Sequence, residues 1–208
     1  MPLTIKNLKF LNNEAPIDFE IKENGLYGLI GKNGIGKSTL YSVISGEIAI
    51  KQGQVITGQV VYFPSVENFD ENLNGWNYLR LLDDHHFEYA KKLAENIGAD
   101  SYLSKKIGKY SFGMKQLFAA ILSFSTPSEI LLIDELFNGL DVLVKSKVIY
   151  ELRKISHEKI ILYTSHNLKE IEQCCDQSFI LTTRGIEEVS DFEAAAQEIG
   201  FGLIPMIE

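Results

Sequence analysis

Gly31-Lys32-Asn33-Gly34-Ile35-Gly36-Lys37-Ser38-Thr39 is the stretch on which the reading of this 208-residue chain turns. Its spacing is G-x-x-x-x-G-K-[ST], which means a phosphate-binding loop only between a strand and a helix. Both flanks comply. Leu26 to Ile30 is an apolar run that predicts a buried strand, and Leu40 to Ile44 predicts the start of a helix. Gly31, Gly34 and Gly36 let the backbone turn its N–H groups toward one polyanion, and the helix N-terminus adds partial positive charge. Asn33 and Thr39 belong to the same binding loop. Lys37 would reach the β- and γ-phosphates, and the Ser38 hydroxyl would complete the shell of a Mg²⁺ ion. The stretch predicts binding of a nucleoside triphosphate.

Outward from the loop, strands and helices alternate. Leu3–Phe10 and Pro16–Ile21 are strand-like and joined by the polar turn Leu11-Asn12-Asn13-Glu14. Gln54–Ile56 and Gln59–Phe63 flank Thr57-Gly58 and predict a hairpin, hence a small antiparallel section. From Gly75 to about Phe124, apolar residues recur at helical spacing, as in Phe87-Ala90-Leu93-Ile97. Ile130-Leu131-Leu132-Ile133 predicts a central parallel strand, Val142–Ile155 a helix, Ile160–Tyr163 a buried strand and Leu168–Cys175 a short helix. Ser178–Leu181 and Gly185–Val189 predict a last strand pair, with Asp191 capping the alanine-rich turn Phe192–Ile199. Such alternation means an α/β core, with a helical insertion in its middle.

Composition narrows the class. Hydrophobic content of 45% and charged content of 23% are ordinary for a soluble globular protein. A net charge of −8 argues against a nucleic-acid partner, because phosphate backbones are held mainly by surplus Lys and Arg. No apolar stretch approaches the roughly 18 residues needed to span a bilayer, and Met1 to Lys6 lacks the pattern of a secretion signal. The two cysteines, Cys174 and Cys175, are adjacent and make no disulfide framework; buried small residues on a helix are the expectation. The expected compartment is the cytosol.

Two further strand ends carry chemistry. Asp134-Glu135 follows Ile130–Ile133, and carboxyl ends of parallel strands are where an open α/β sheet builds its ligand site. Asp134 there can hold Mg²⁺, and Glu135 can polarise an attacking water. Tyr163-Thr164-Ser165-His166 repeats the geometry one strand later, where a neutral imidazole can hydrogen-bond a γ-phosphate.

Between these sites, Tyr110-Ser111-Phe112-Gly113-Met114-Lys115-Gln116 opens a helix, with Ser111 as a plausible N-cap. The order of phosphate loop, serine–glycine helix start, acidic strand, Asn138-Gly139-Leu140-Asp141 and histidine resembles the ABC-type ATPases, the nucleotide-binding domains of ABC transporters. The resemblance covers nearly the whole chain. It implies a P-loop NTPase core over residues 1–208, a mostly parallel sheet with flanking helices, and a helical subdomain inserted at about 70–125. It further implies ATP and Mg²⁺ as ligands and a head-to-tail pair of ATPase domains, as homodimer or heterodimer. Lys37, Ser38, Asp134, Glu135 and His166 would act from one subunit, with Ser111 and Gly113 touching the γ-phosphate from the other. Asp141 would lie in the loop that crosses the interface, and it also suits a cap for the following helix. Phe10, by position, is the candidate for stacking on adenine; a core role is the alternative.

The chain also departs from the family's pattern. Phe112 and Met114 stand where a glycine and a glutamine are usual, a version that looks like exporters of peptide-antibiotic type. Leu136 replaces a proline after the catalytic acid. In Tyr62-Phe63-Pro64-Ser65-Val66-Glu67, Ser65 stands where the family carries a glutamine, with Glu67 as a partial substitute. The implied function is the ATP-hydrolysing subunit of a bacterial ABC exporter, at the inner face of the membrane beside an integral membrane permease subunit. The alternatives are a soluble ABC ATPase with a regulatory or mechanical role, or a small-molecule P-loop kinase. Phe69, Trp76 and Tyr78 would either form a groove for the membrane partner or be buried in the helical part.

Overall fold

The computed structural model describes residues 2–9, 14–62, 66–137 and 139–200, excluding the Glu67 side chain. Two sheets organise it. β1 (Leu3–Leu8) pairs antiparallel with β2 (Ile17–Ile21) on one edge and with β4 (Gln54–Ile56) on the other. The larger sheet has the order β5 (Val60–Tyr62), β6 (Ile130–Asp134), β7 (Ile160–Thr164), β3 (Gly25–Ile30), β8 (Gln177–Thr182), β9 (Gly185–Glu188). Its first five strands run parallel, and β9 returns antiparallel to β8.

Why these runs are strands shows in their burial. β3 and β7 are buried at every position and β6 at all but its last, as expected of parallel strands covered on both faces. Successive side chains go to opposite layers. Leu131, Ile133, Ile161 and Tyr163 join the cluster under the helices, whereas Ile130, Leu132, Ile160 and Leu162 join the cluster under the antiparallel sheet. Burying each such side chain stabilises the fold by about 1.5–3 kcal/mol.

α1 (Lys37–Ile44) follows β3 and packs Leu40, Tyr41, Val43 and Ile44 into the second of these layers. α2 (Gly75–Leu79), α3 (Asp84–Ile97) and α4 (Phe112–Ser125) fill the chain between the adjacent strands β5 and β6. From Gln116 to Ser125 every residue of α4 is buried. Phe118 sits at its centre among Phe69, Tyr78 and Tyr110. α5 (Val142–Ile155), α6 (Leu168–Cys174) and α7 (Phe192–Glu198) complete the helical layer. Asp191 caps α7 through the amides of Glu193 and Ala194. Cys174 is buried on α6, and its Sγ lies 3.7 Å from that of Cys175, so the two are thiols.

One sequence expectation changes and one alternative narrows. The segments around Thr57-Gly58 are not a hairpin, because β4 belongs to the antiparallel sheet and β5 to the parallel one. Residues 57–59 carry the chain between sheets: the Gln59 carbonyl accepts from the amides of Glu129 and Ile130 at 2.9 and 3.0 Å, which docks β5 beside β6. A Cβ on Gly58 would meet the Glu129 carboxyl at 2.4 Å, so that side chain would have to swing aside. Of Phe69, Trp76 and Tyr78, expected either in a groove or buried, the first is buried and the other two are half-buried. Trp76 packs on Phe87, and the Tyr78 hydroxyl accepts from the Asp70 amide at 2.8 Å.

Candidate functional site

The carboxyl ends of β3, β6 and β7 are neighbours, and the loops that leave them form one cleft of about 350 Å³. Asn33, Gly34, Gly36, Lys37, Ser38, Thr39, Glu135 and His166 line it. Gly34 and Gly36 adopt φ of +77° and +111°, in the region that favours glycine, so the loop wraps without strain. Gly36 occupies the N-cap of α1 and supplies no side chain to its first amides. No acidic residue lies in that first turn. The unsatisfied N–H groups and the helix dipole therefore face the cleft as an anion-binding end. Gly31 serves a different need: a Cβ there would meet the Leu181 carbonyl at 2.8 Å.

Lys37 donates from Nζ to the carbonyls of Gly31 at 2.9 Å and Lys32 at 3.3 Å. Burial lowers its pKa, while the charges of Glu135 and Asp134 pull it back up. The loop thus parks its cation on its own backbone.

Opposite the loop, the end of β6 is tied to the end of β7. Asp134 and Thr164 are register partners in the parallel ladder. The Thr164 hydroxyl, 0% exposed, donates to Asp134 Oδ1 at 2.8 Å and accepts from the Glu135 amide at 2.9 Å. Tyr62, at the end of β5, approaches Asp134 Oδ2 at 3.5 Å, and burial with the Asp134 charge pushes its phenol well up. Glu135 has φ +54°, a left-handed conformation that costs a non-glycine residue about 1–3 kcal/mol. The bond from its amide to Thr164 helps hold that turn, which swings its carboxylate back over the cleft. There Glu135 Oε2 lies 2.7 Å from His166 Nε2. A hard-oxygen pair, Ser38 and Asp134, with an acid–imidazole pair beside a nest of amides, is suited to cutting a phosphoanhydride.

Sequence reasoning missed Thr164 and Tyr62 as parts of this site. The available signal for Thr164 was a hydroxyl in an otherwise apolar strand, one strand over from Asp134.

Ser111, Gly113 and Asp141 lie elsewhere and line no part of the cleft. Ser111 is the N-cap of α4, its Oγ accepting from the Met114 amide at 3.2 Å. Asp141 caps α5 by accepting from the Leu143 amide at 2.9 Å. A Cβ on Gly113 would find nothing closer than Leu140 Cδ2 at 3.8 Å. Around it Phe112, Val142 and Leu143 are 61%, 77% and 76% exposed. Leu136, in place of the usual proline, is buried beside the acids. Phe10, Ser65, Asn138 and the Glu67 side chain lie outside the described residues.

The sequence profile of the ABC transporter family matches residues 15–138, from β2's approach through the phosphate loop to just past Asp134-Glu135. This chain belongs to the ABC transporter family. Among relatives within the family, it is 28% identical over 190 residues to the ATP-binding protein BexA of Haemophilus influenzae, covering 87% of this chain and 86% of that one. It is 28% identical over 185 residues to the capsule polysaccharide export ATP-binding protein CtrD of Neisseria meningitidis, with 86% of each covered. A solved ATP-binding subunit of an ABC transporter superposes with a TM-score of 0.81 at 23% identity, over 96% of this chain and 95% of that one. ABC family membership accounts for the pairing of phosphate loop and acidic strand in one parallel sheet.

Proposed function

We propose that this chain binds and hydrolyses ATP as the cytoplasmic subunit of a bacterial ABC exporter, on a separate integral membrane permease, and that it works as a head-to-tail pair. The observation that carries the pairing is the split between the two sets of residues. Lys37, Ser38, Glu135 and His166 line one cleft, while Ser111 and Asp141 are exposed and Gly113 half-buried away from it. A Cβ on Gly113 would make only ordinary contacts, with Leu140 and Gly139 at 3.8 and 3.9 Å, so the chain's own packing does not require a glycine there, and its bare backbone suits a phosphate approaching from a second copy.

In this reading the triphosphate lies along residues 31–39, and Lys37 leaves the Gly31 and Lys32 carbonyls for its β- and γ-oxygens. Ser38 and Asp134 are hard oxygen donors that fit Mg²⁺, which when bound neutralises charge on the phosphates. Glu135 accepts the proton of the attacking water. His166 gives up Glu135 to hydrogen-bond the γ-phosphate, so arrival of ATP releases the base. The base of the nucleotide fits an apolar recess of about 490 Å³ that shares Thr39 with the phosphate cleft and includes Lys9, Val43, Ile48 and Ile50. Phe10 follows Lys9 in sequence and would stack there.

We take residues 1–208 as one ATPase domain with the helical subdomain at about 70–125, carried by α2 to α4. Among the described residues no helix is long and apolar enough to cross a membrane, which fits a peripheral place on the inner face beside a permease. Export follows the capsule-export relative. The −8 charge disfavours nucleic acid.

Glu135→Gln tests the mechanism. Turnover should fall about 10²–10⁴-fold with ATP affinity retained, and light scattering should show the variant accumulating as an ATP-bound dimer. Unchanged turnover, or a monomer at saturating ATP, would sink the reading. Purification with ribosomes or DNA instead of a membrane protein would favour the soluble alternative.

A further inference from the structure

The first turn of α3 gathers Asp83, Asp84, His85 and His86 on an exposed corner that lines no part of the phosphate cleft. Capping the helix needs only one bond there, from the His86 amide to Asp83 Oδ1 at 3.0 Å. The rest of the arrangement goes beyond capping. His86 Nδ1 lies 2.6 Å from Asp83 Oδ2, and the His85 ring stands edge-on to that of His86 with centroids 5.2 Å apart. One donor atom each from Asp83, His85 and His86 falls within 4.8 Å of the other two. Two of the chain's four histidines are spent on this corner.

We propose that Asp83, His85 and His86 form a binding site for a late first-row divalent cation such as Zn²⁺ or Ni²⁺. Two imidazoles and a carboxylate suit these ions and suit Mg²⁺ poorly, so the site is chemically distinct from the Ser38–Asp134 oxygen pair. Ligand atoms about 2.0–2.2 Å from such an ion sit about 3.3 Å from one another. Small rotations of the exposed Asp83 and His85 and the half-buried His86 reach that spacing, because none lies in the core. Asp83 is well prepared for the role. Its Oδ2 already lies 2.6 Å from His86 Nδ1, within reach of an ion held by that ring. Water fills the remaining positions, and the bound ion ties the cap residue to the first turn of α3.

The test is calorimetric titration of untagged full-length protein with ZnCl₂ and with NiCl₂, in buffer saturated with Mg²⁺. One site is expected, and His85→Ala and His86→Ala should each weaken it at least about tenfold. Circular dichroism on both variants should match the parent, since His85 and His86 lie outside the core. His166→Ala and the double variant Cys174→Ser, Cys175→Ser should leave the site intact. In a second measurement, Ni²⁺ should selectively broaden the amide resonances of residues 83–86. Absence of binding at millimolar metal would overturn the proposal. So would binding that survives loss of both His85 and His86, or that vanishes with His166 or the thiols.

Discussion

The phosphate cleft and the exposed corner where α4 and α5 begin differ in how finished they are. In the cleft, each charged group already has a partner within the chain. Lys37 rests on two loop carbonyls, Asp134 on Thr164, and Glu135 on His166. At the α4–α5 corner, polar groups do no more than cap their own helices. Apolar Phe112, Val142 and Leu143 face solvent, and a Cβ on Gly113 would meet its neighbours at no closer than 3.8 Å. Buried polar groups must be satisfied inside the fold, whereas an exposed apolar edge is a cost that a second molecule can remove.

The comparison breaks most visibly at Lys37. Lys37→Ala should abolish ATP binding in calorimetry while the fold persists, because the lysine faces solvent on one side and serves the ligand. Retained affinity would mean that the amides of the loop suffice. Next in size is Gly113→Asp. Turnover should drop roughly hundredfold, yet the melting temperature should stay within about 4 °C, since the nearest atom to the new Cβ is 3.8 Å away. A large fall in melting temperature would place Gly113 in the fold and erase the contrast between the regions. The smallest effect concerns Thr164→Val, which keeps the shape and deletes the hydroxyl. It should cost about 1–3 kcal/mol in denaturant unfolding, because the Glu135 amide and Asp134 Oδ1 both lose a partner. Turnover should fall with it and return in Thr164→Ser; full activity in the valine variant would show that Glu135 holds its left-handed turn unaided.

Much of the architecture is legible in local pattern. Ile130–Ile133 and Ile160–Tyr163 are short β-branched and apolar runs, the pattern of strands buried on both faces. Val142–Ile155 announces itself by an aspartate cap and helical spacing, and the helix has those bounds. The turn at Thr57-Gly58 misleads because hairpins and sheet-to-sheet crossings use the same residues. What separates them is whether the Gln59 carbonyl meets the amides of Glu129 and Ile130, some seventy positions away in the chain. Phe69 and Trp76 posed a similar ambiguity, since an aromatic ring suits a groove and a core equally until its neighbours are known. Thr164 was invisible for a related reason. A threonine at the end of an apolar strand is unremarkable until register sets it opposite Asp134.

Contiguous residues alone fixed the anion-binding loop, the acidic strand end and the family: glycine φ preferences, helix caps and apolar runs act over a few neighbours and need no distant partner. The union of Lys37, Asp134, Thr164, Glu135 and His166 around one cleft was settled by packing. The order in which β6, β7 and β3 lie side by side is a bargain among residues far apart in the chain, struck by burial and ladder pairing. That same packing left the side chains of Phe112, Val142 and Leu143 exposed where α4 and α5 begin.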